Sequence, residues 1–159
     1  MVWWGPLLFI ATFLFTEFSA WFNHKYIMHG FLWKFHKDHH QPRPGVFEKN
    51  DFFFLIYAIP TWLLIMFGGI LDLDFMIWMG AGVATYGLAY FLFHDVYIHR
   101  RLKFFRDLNK PFFMAIRKAH KVHHKSRGKE KGECFGMLIV PMKYYKEAKR
   151  AYRLKKQNQ

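Results

Sequence analysis

Residues 24–40 read HKYIMHGFLWKFHKDHH, and their five histidines form the pattern H-x4-H-x6-H-x2-H-H. The other five histidines of the chain repeat the same grammar with a longer spacer, as H-x4-H-x20-H-x2-H-H over His94, His99, His120, His123 and His124. Within each H-x2-H-H triplet (His36, His39, His40 and His120, His123, His124), spacings of three and four place the imidazoles on one helix face. Each triplet therefore reads as a three-nitrogen chelate. The H-x4-H pairs fit a regular helix poorly, because five residues turn about 140° past whole turns. The sequence thus predicts a helical irregularity at His29 and at His99, a π-bulge, a 3₁₀ turn or a helix end. Gly30 is the natural left-handed residue to stop the first helix.

The residues flanking these windows decide the fold. Hydrophobic residues make up 53% of the 159 and aromatics 21%, yet 22% are charged, so the apolar and charged residues are segregated into blocks. Residues 2–22 hold a single charge, Glu17, and residues 52–71 and 75–93 hold none. Each block approaches the ~20 residues that a helix needs to cross a bilayer. The expected architecture is an all-α integral membrane helical bundle with three, at most four, transmembrane helices. It reads as a single domain over 1–159, with water-facing caps at 24–50 and 94–159. The first apolar stretch lacks a basic leader and is too long for a signal peptide, so it reads as a retained span.

The net charge of +13 raises the question of nucleic acid, and its placement answers it. Five of the 24 Lys and Arg residues lie between Lys25 and Lys49 and the other 19 between Arg100 and Lys156. Three crossings put both basic segments on one side, and by the positive-inside rule that side is cytoplasmic, with the N-terminus outside. Membrane topology accounts for the charge, so no nucleic-acid partner is expected. The lone Cys134 excludes an intramolecular disulfide and an iron–sulfur site built within this chain.

Glu17 is costly in an apolar run. Seven residues before His24, on nearly the same helix face, it either orients an imidazole or is protonated or bonded to Ser19. Asn50 or Asp51 is expected to cap the second span, Pro60 to kink it, and Gln41-Pro42-Arg43-Pro44-Gly45 to break the helix carrying the first triplet. Gly80, Gly82, Ala84 and Gly87 on the third span make either a packing seam or a groove for a flat apolar ligand. The basic stretch from about Lys143 to Lys156 reads as a helix on anionic lipid.

Ten imidazoles suffice for four or five nitrogens on each of two metals. A zinc protease would carry H-E-x-x-H, and no histidine here is followed by Glu. Glu-rich soluble di-iron sites use Glu-x-x-His, which is also missing. Within the windows the carboxylates are Asp38, Asp95 and Asp107, and Asp38 faces away from His36 around the helix. A dimetal centre here is almost wholly nitrogen-ligated.

These motifs resemble those of the membrane-bound non-haem di-iron fatty acid hydroxylase and desaturase superfamily. More narrowly, the His24-to-Gly30 run, the His36…His39-His40 box, His94-Asp95 with His99-Arg100, the Ala119-His120…His123-His124 box, Arg127-Gly128-Lys129-Glu130 and Phe135-Gly136 are similar to those of bacterial-type β-carotene 3-hydroxylases. The resemblance spans essentially the whole chain. It implies two Fe ions held by all ten histidines and O₂ as co-substrate. It also implies hydroxylation at C3 of a β-ionone ring, carrying β-carotene to β-cryptoxanthin and then zeaxanthin. Asp95 would act only behind the ligands, or pair with Arg100 or Arg101. The substrate would come from the lipid bilayer. With no cofactor-binding fingerprint in the chain, ferredoxin or a similar carrier would supply electrons, docking at Arg100, Arg101 and Lys103 unless those charges serve topology alone. The alternatives are a fatty-acyl or sterol hydroxylase or desaturase, a carotenoid ketolase, or a metal transporter or sensor. The last is disfavoured because spans two and three lack ionisable residues.

Overall fold

The computed structural model describes residues 3–41, 47–104 and 108–157; among them the regular elements are all helices and there is no strand. The Pro42–Gly45 breaker and Asp107 lie outside the described residues. Helix α1 spans Gly5–Phe22, with Pro6 in its first turn where the missing N–H costs nothing. Thr12 and Thr16 bond back to the carbonyls of Leu8 and Thr12, so their hydroxyls are satisfied within the helix. The helix continues as a π-helical stretch, Asn23–Phe31, and the short α2, Trp33–His40, follows. A 3₁₀ turn, Lys49–Phe54, leads into α3, Leu55–Ile70, which runs through Pro60. Helix α4, Asp74–Tyr90, passes into a second π-helical stretch, Phe91–Ile98. The chain ends in α5, Pro111–His123, and α6, Met142–Gln157.

Three of these rods are long and apolar enough to cross a membrane: Gly5–Phe31, Lys49–Ile70 and Asp74–Ile98. Their outward residues are apolar, among them Leu14 and Phe18 on α1 and Ile59 and Trp62 on α3. In water that surface would aggregate, whereas in lipid it is the solvated face. Between α3 and α4 the chain turns at Asp72, whose φ of 55° is left-handed, while Leu73 N–H bonds Gly68 O at 2.8 Å. Asp is among the few non-glycine residues that visit this region readily.

Helix α4 packs against both α3 and α1. Near the hairpin, α3 and α4 touch: a Cβ on Gly80 would lie 2.6 Å from Ile65 Cγ1, and one on Gly68 2.8 Å from Ile77 Cγ1. Towards the histidine end they diverge, and a Cβ on Gly87 would meet nothing within 4 Å. The resulting cavity, about 720 Å³, is walled by Tyr57, Ala58 and Trp62 of α3 and by Ala84, Gly87 and Leu88 of α4. The small-residue stripe therefore divides, Gly80 and Gly82 serving packing and Ala84 and Gly87 lining a groove.

Capping of the second rod differs from the expectation. Its first turn is closed by Asp51 Oδ2, which accepts Glu48 N–H at 3.0 Å, and Asn50 is turned inward to a histidine instead. Beyond the spans, Ala115 and Ala119 of α5 pack on Tyr144 and Ala148 of α6. The terminal basic helix thus uses its small-residue face to brace α5 and leaves its lysines and arginines outward.

Candidate metal centre

The two H-x4-H pairs sit where the helices become π-helical. His99 N–H bonds His94 O at 2.9 Å, and Leu32 N–H bonds Ile27 O at 3.0 Å, both five-residue steps. Widening the turn to five residues cancels the phase error of a regular helix. His24 and His29 consequently lie with ring centroids 5.3 Å apart, and His94 and His99 4.5 Å. Gly30 does break the first helix, but with φ −96° and ψ −127° and not in the left-handed conformation expected of it.

The rings assemble into two groups in which all candidate donor atoms lie within 4.8 Å of one another: His24, His29, His36, His40 and His123 in the first, and His39, His99, His120 and His124 in the second. His94 borders the second group, its ring 4.9 Å from His39 and 4.7 Å from His120. The expectation that each triplet forms one chelate is corrected here. His36 and His40, four apart, serve the first group while His39 between them turns to the second. His120 and His124 serve the second while His123 turns to the first. A four-residue step returns to nearly the same helix azimuth, whereas the residue between is rotated by about 60° from the first member. Two helices facing each other can thereby exchange one ligand each. The groups abut, with His40 stacked on His124 at 4.5 Å.

Donor chemistry tests whether these rings fit a metal. In the first group every Nδ1 faces an oxygen acceptor. His24 reaches Phe135 O at 2.9 Å, His29 Lys129 O at 3.0 Å, His36 Asn50 Oδ1 at 2.6 Å, His40 Ser126 O at 2.8 Å and His123 Glu133 O at 2.8 Å. Each Nδ1 therefore carries the proton, and each Nε2 is left with a lone pair. Those lone pairs point at one another: Nε2 separations are 3.1 Å for His24–His36 and His36–His40 and 3.2 Å for His29–His40 and His29–His123. In the second group the separations are 2.9 Å for His99–His120 and 2.8 Å for His120–His124, and His39 Nε2 is buried without a hydrogen-bond partner. Adjacent nitrogens bound at ~2.0–2.1 Å from one ion lie about 3 Å apart. A cation resolves both the spacing and the lone-pair conflict, so the residues fit two metal ions.

Burial keeps the rings in the form that ligates. It is the main reason, with repulsion among the rings adding to it, that His36, His40 and His124 titrate at about 2, 4 and 3. The same causes hold His39 and His120 well below the usual histidine range. Neutral imidazole is the metal-binding species.

Glu17 takes a different part from either expected one. Its Oε1 accepts the backbone N–H groups of Met137, Leu138 and Ile139 at 3.1, 2.9 and 2.9 Å, and its Oε2 accepts Tyr86 O–H at 2.7 Å. Ser19 meets Tyr57 O–H at 3.3 Å. Glu17 thus clamps the segment just after Phe135, and reaches the histidines only through the backbone. Asp95 lies 3.3 Å from His94 Nδ1 and 3.4 Å from Arg101 Nε. Arg100 and Lys103 are exposed, while Arg101 is tied to Glu48 and Asp51 at 2.8 and 2.9 Å. Asp38 faces away, accepting Lys49 N–H.

Sequence reading missed Glu48, which accepts His39 Nδ1–H at 2.8 Å, and Asn50. It singled out Arg127–Glu130 and Phe135-Gly136 of the 125–136 loop as motif residues, but not that carbonyls of this loop back four rings of the first group. Backbone acceptors carry no side-chain signal, and Glu48 lies outside the histidine windows; its one trace is the Glu48-x-x-Asp51 spacing of a helix start.

Residues 9–142 match the family model described as fatty acid hydroxylase. The chain is 41% identical over 144 residues to a beta-carotene hydroxylase of Pantoea ananas, covering 89% of this chain and 81% of that one. It is 35% identical to the beta-carotene hydroxylase of a Paracoccus strain, covering 85% and 83%, and 34% identical to a chloroplastic beta-carotene hydroxylase of Capsicum annuum, covering 79% and 40%. No solved structure gives a significant match. By its match to that family model over most of its length, the chain belongs to the fatty acid hydroxylase family.

Proposed function

We propose that the protein hydroxylates a carotenoid ring, adding one oxygen atom from O₂ at C3 of a β-ionone ring of β-carotene and then of the second ring. His24, His29, His36, His40 and His123 would hold one iron, and His39, His94, His99, His120 and His124 the other. Two nitrogen-ligated irons with open positions supply activation of O₂ for attack on an unactivated C–H bond, which redox-inert zinc does not.

The observation that carries the substrate class is the cavity. It is lined by His24 and His94, one from each side of the pair of groups, and runs from there between α3 and α4. Its mouth carries Trp62 and Leu88, both exposed on the apolar flank of the bundle. A flat ring enters between Gly87 and Tyr57, and the polyene remains in lipid. Asn23 donates to Tyr57 Oη at 2.7 Å, which gives that hydroxyl a partner within a largely apolar wall. Phe135 and Met137, beside the segment that Glu17 holds, also line the cavity.

The metal end faces the cytoplasm, where the two electrons of each turnover come from a ferredoxin-like donor at exposed Arg100 and Lys103. Reduction by such a carrier slows as salt rises, and reversing both charges slows it at low salt. A rate indifferent to both removes this docking site. Expressed in cells that accumulate β-carotene, the protein yields β-cryptoxanthin and zeaxanthin by pigment chromatography. Recovery of unchanged β-carotene, or of keto derivatives, in cells with a competent donor overturns the assignment.

A further inference from the structure

The two histidine groups are backed by different chemistry. All five Nδ1 positions of the first meet neutral oxygens, four of them backbone carbonyls and one the Asn50 amide. On the other side, His39 and His94 meet the carboxylates of Glu48 and Asp95 at 2.8 and 3.3 Å. A carboxylate behind an imidazole fixes its orientation and strengthens it as a donor more than a carbonyl does.

Those carboxylates share one cation. Arg101 spans Glu48 Oε2 at 2.8 Å, Asp51 Oδ1 at 2.9 Å and Asp95 Oδ1 at 3.4 Å, so the atoms that accept from His39 and His94 are the same ones that Arg101 holds. The backbone is bent to allow it. Arg100 adopts a left-handed φ of 58°, costly for a residue with a Cβ, and the next N–H, of Arg101, returns to Asp95 O at 2.9 Å. Without the guanidinium, three carboxylates would be drawn together with no charge to offset their repulsion, and Glu48 and Asp95 would swing away from their imidazoles.

We infer that Arg101 is a positioning residue for one metal of the pair, the one on the His39/His94 side. The two metal positions are accordingly inequivalent in donor strength and in their dependence on the Arg101–carboxylate cluster. This rests on the reading of the histidine groups as a two-metal site, and it gives the exposed Arg101 a role in holding the carboxylates behind the site in place of partner docking.

The test is metal binding by purified, iron-reconstituted protein in detergent, challenged with a graded chelator and followed by iron analysis and Mössbauer spectroscopy. Arg101→Gln is expected to weaken one site by roughly 10- to 100-fold, so that intermediate chelator leaves about one iron per chain and one of two quadrupole doublets. Glu48→Gln, which keeps the shape and an acceptor oxygen, gives the same selective loss and serves if Arg101→Gln does not fold. Arg100→Gln and Lys103→Gln keep both irons. The inference is overturned if the variants hold both irons with an unchanged spectrum, or lose both in parallel. Wild-type protein that binds two irons yet leaves β-carotene untouched counts against the proposed reaction and not against this assignment.

Discussion

Glu17 shows how a single carboxylate in an apolar helix becomes tolerable: four hydrogen bonds converge on it, three from successive backbone N–H groups and one from Tyr86. Glu17→Ala strands those buried donors, at about 1–3 kcal/mol for each group left unsatisfied, whereas Glu17→Gln keeps an acceptor for the backbone. Thermal unfolding in detergent is expected to show a large drop for Ala and a small one for Gln. Because the clamped segment adjoins Phe135, whose carbonyl accepts from His24, iron retention should fall with Glu17→Ala as well. The exchanged histidines make a second prediction. Although His123 belongs to the second sequence motif, His123→Ala removes a ligand candidate from the first group, and His39→Ala does the converse. Iron analysis and pigment assay on each variant should show metal and hydroxylation lost together, by more than the roughly 10- to 100-fold that loss of a ligand's hydrogen-bond partner costs. Wild-type iron content with wild-type product would remove these residues from the site.

At the scale of elements, the pairing of α3 with α4 separates stability from substrate access. Gly80 sits where the helices touch, so Gly80→Ala drives a methyl into Ile65 and is expected to destabilise by about 1–3 kcal/mol, seen as a lowered melting temperature. Gly87 faces the open groove, so Gly87→Leu should melt like the wild type, keep its iron and lose turnover of β-carotene by filling the ring slot. Equal turnover by Gly87→Leu would mean that the ring enters elsewhere. The π-helical stretches are the other structural device. Their widened turns convert a spacing that a regular helix would splay into pairs with ring centroids 5.3 and 4.5 Å apart.

For the whole molecule, the balance between apolar rods and a polar, histidine-packed end makes stability depend on metal. In the first group, nitrogen lone pairs held 3.1–3.2 Å apart oppose each other until a cation lies between them. A metal that binds the folded chain and not the dispersed one, present at about 1,000 times its Kd, would add roughly 4 kcal/mol. Chelation should therefore lower the melting temperature by several degrees and iron should restore it; a melting temperature indifferent to chelation would argue against ligation at these rings. Much of this was legible from residue order alone. Apolar block lengths set three helices long enough to cross because a helix has a fixed rise and a bilayer a fixed thickness, and the repeated histidine spacing pointed to clustered imidazoles able to hold metal because scatter does not repeat itself. Ligand exchange between the groups, the carbonyl cradle of the 125–136 loop, the recruitment of Glu48 and Arg101 and the clamp by Glu17 came only with the tertiary structure. Each joins residues remote in the chain, often through backbone atoms that every residue shares, and it is packing that decides which of those identical groups meets a given imidazole.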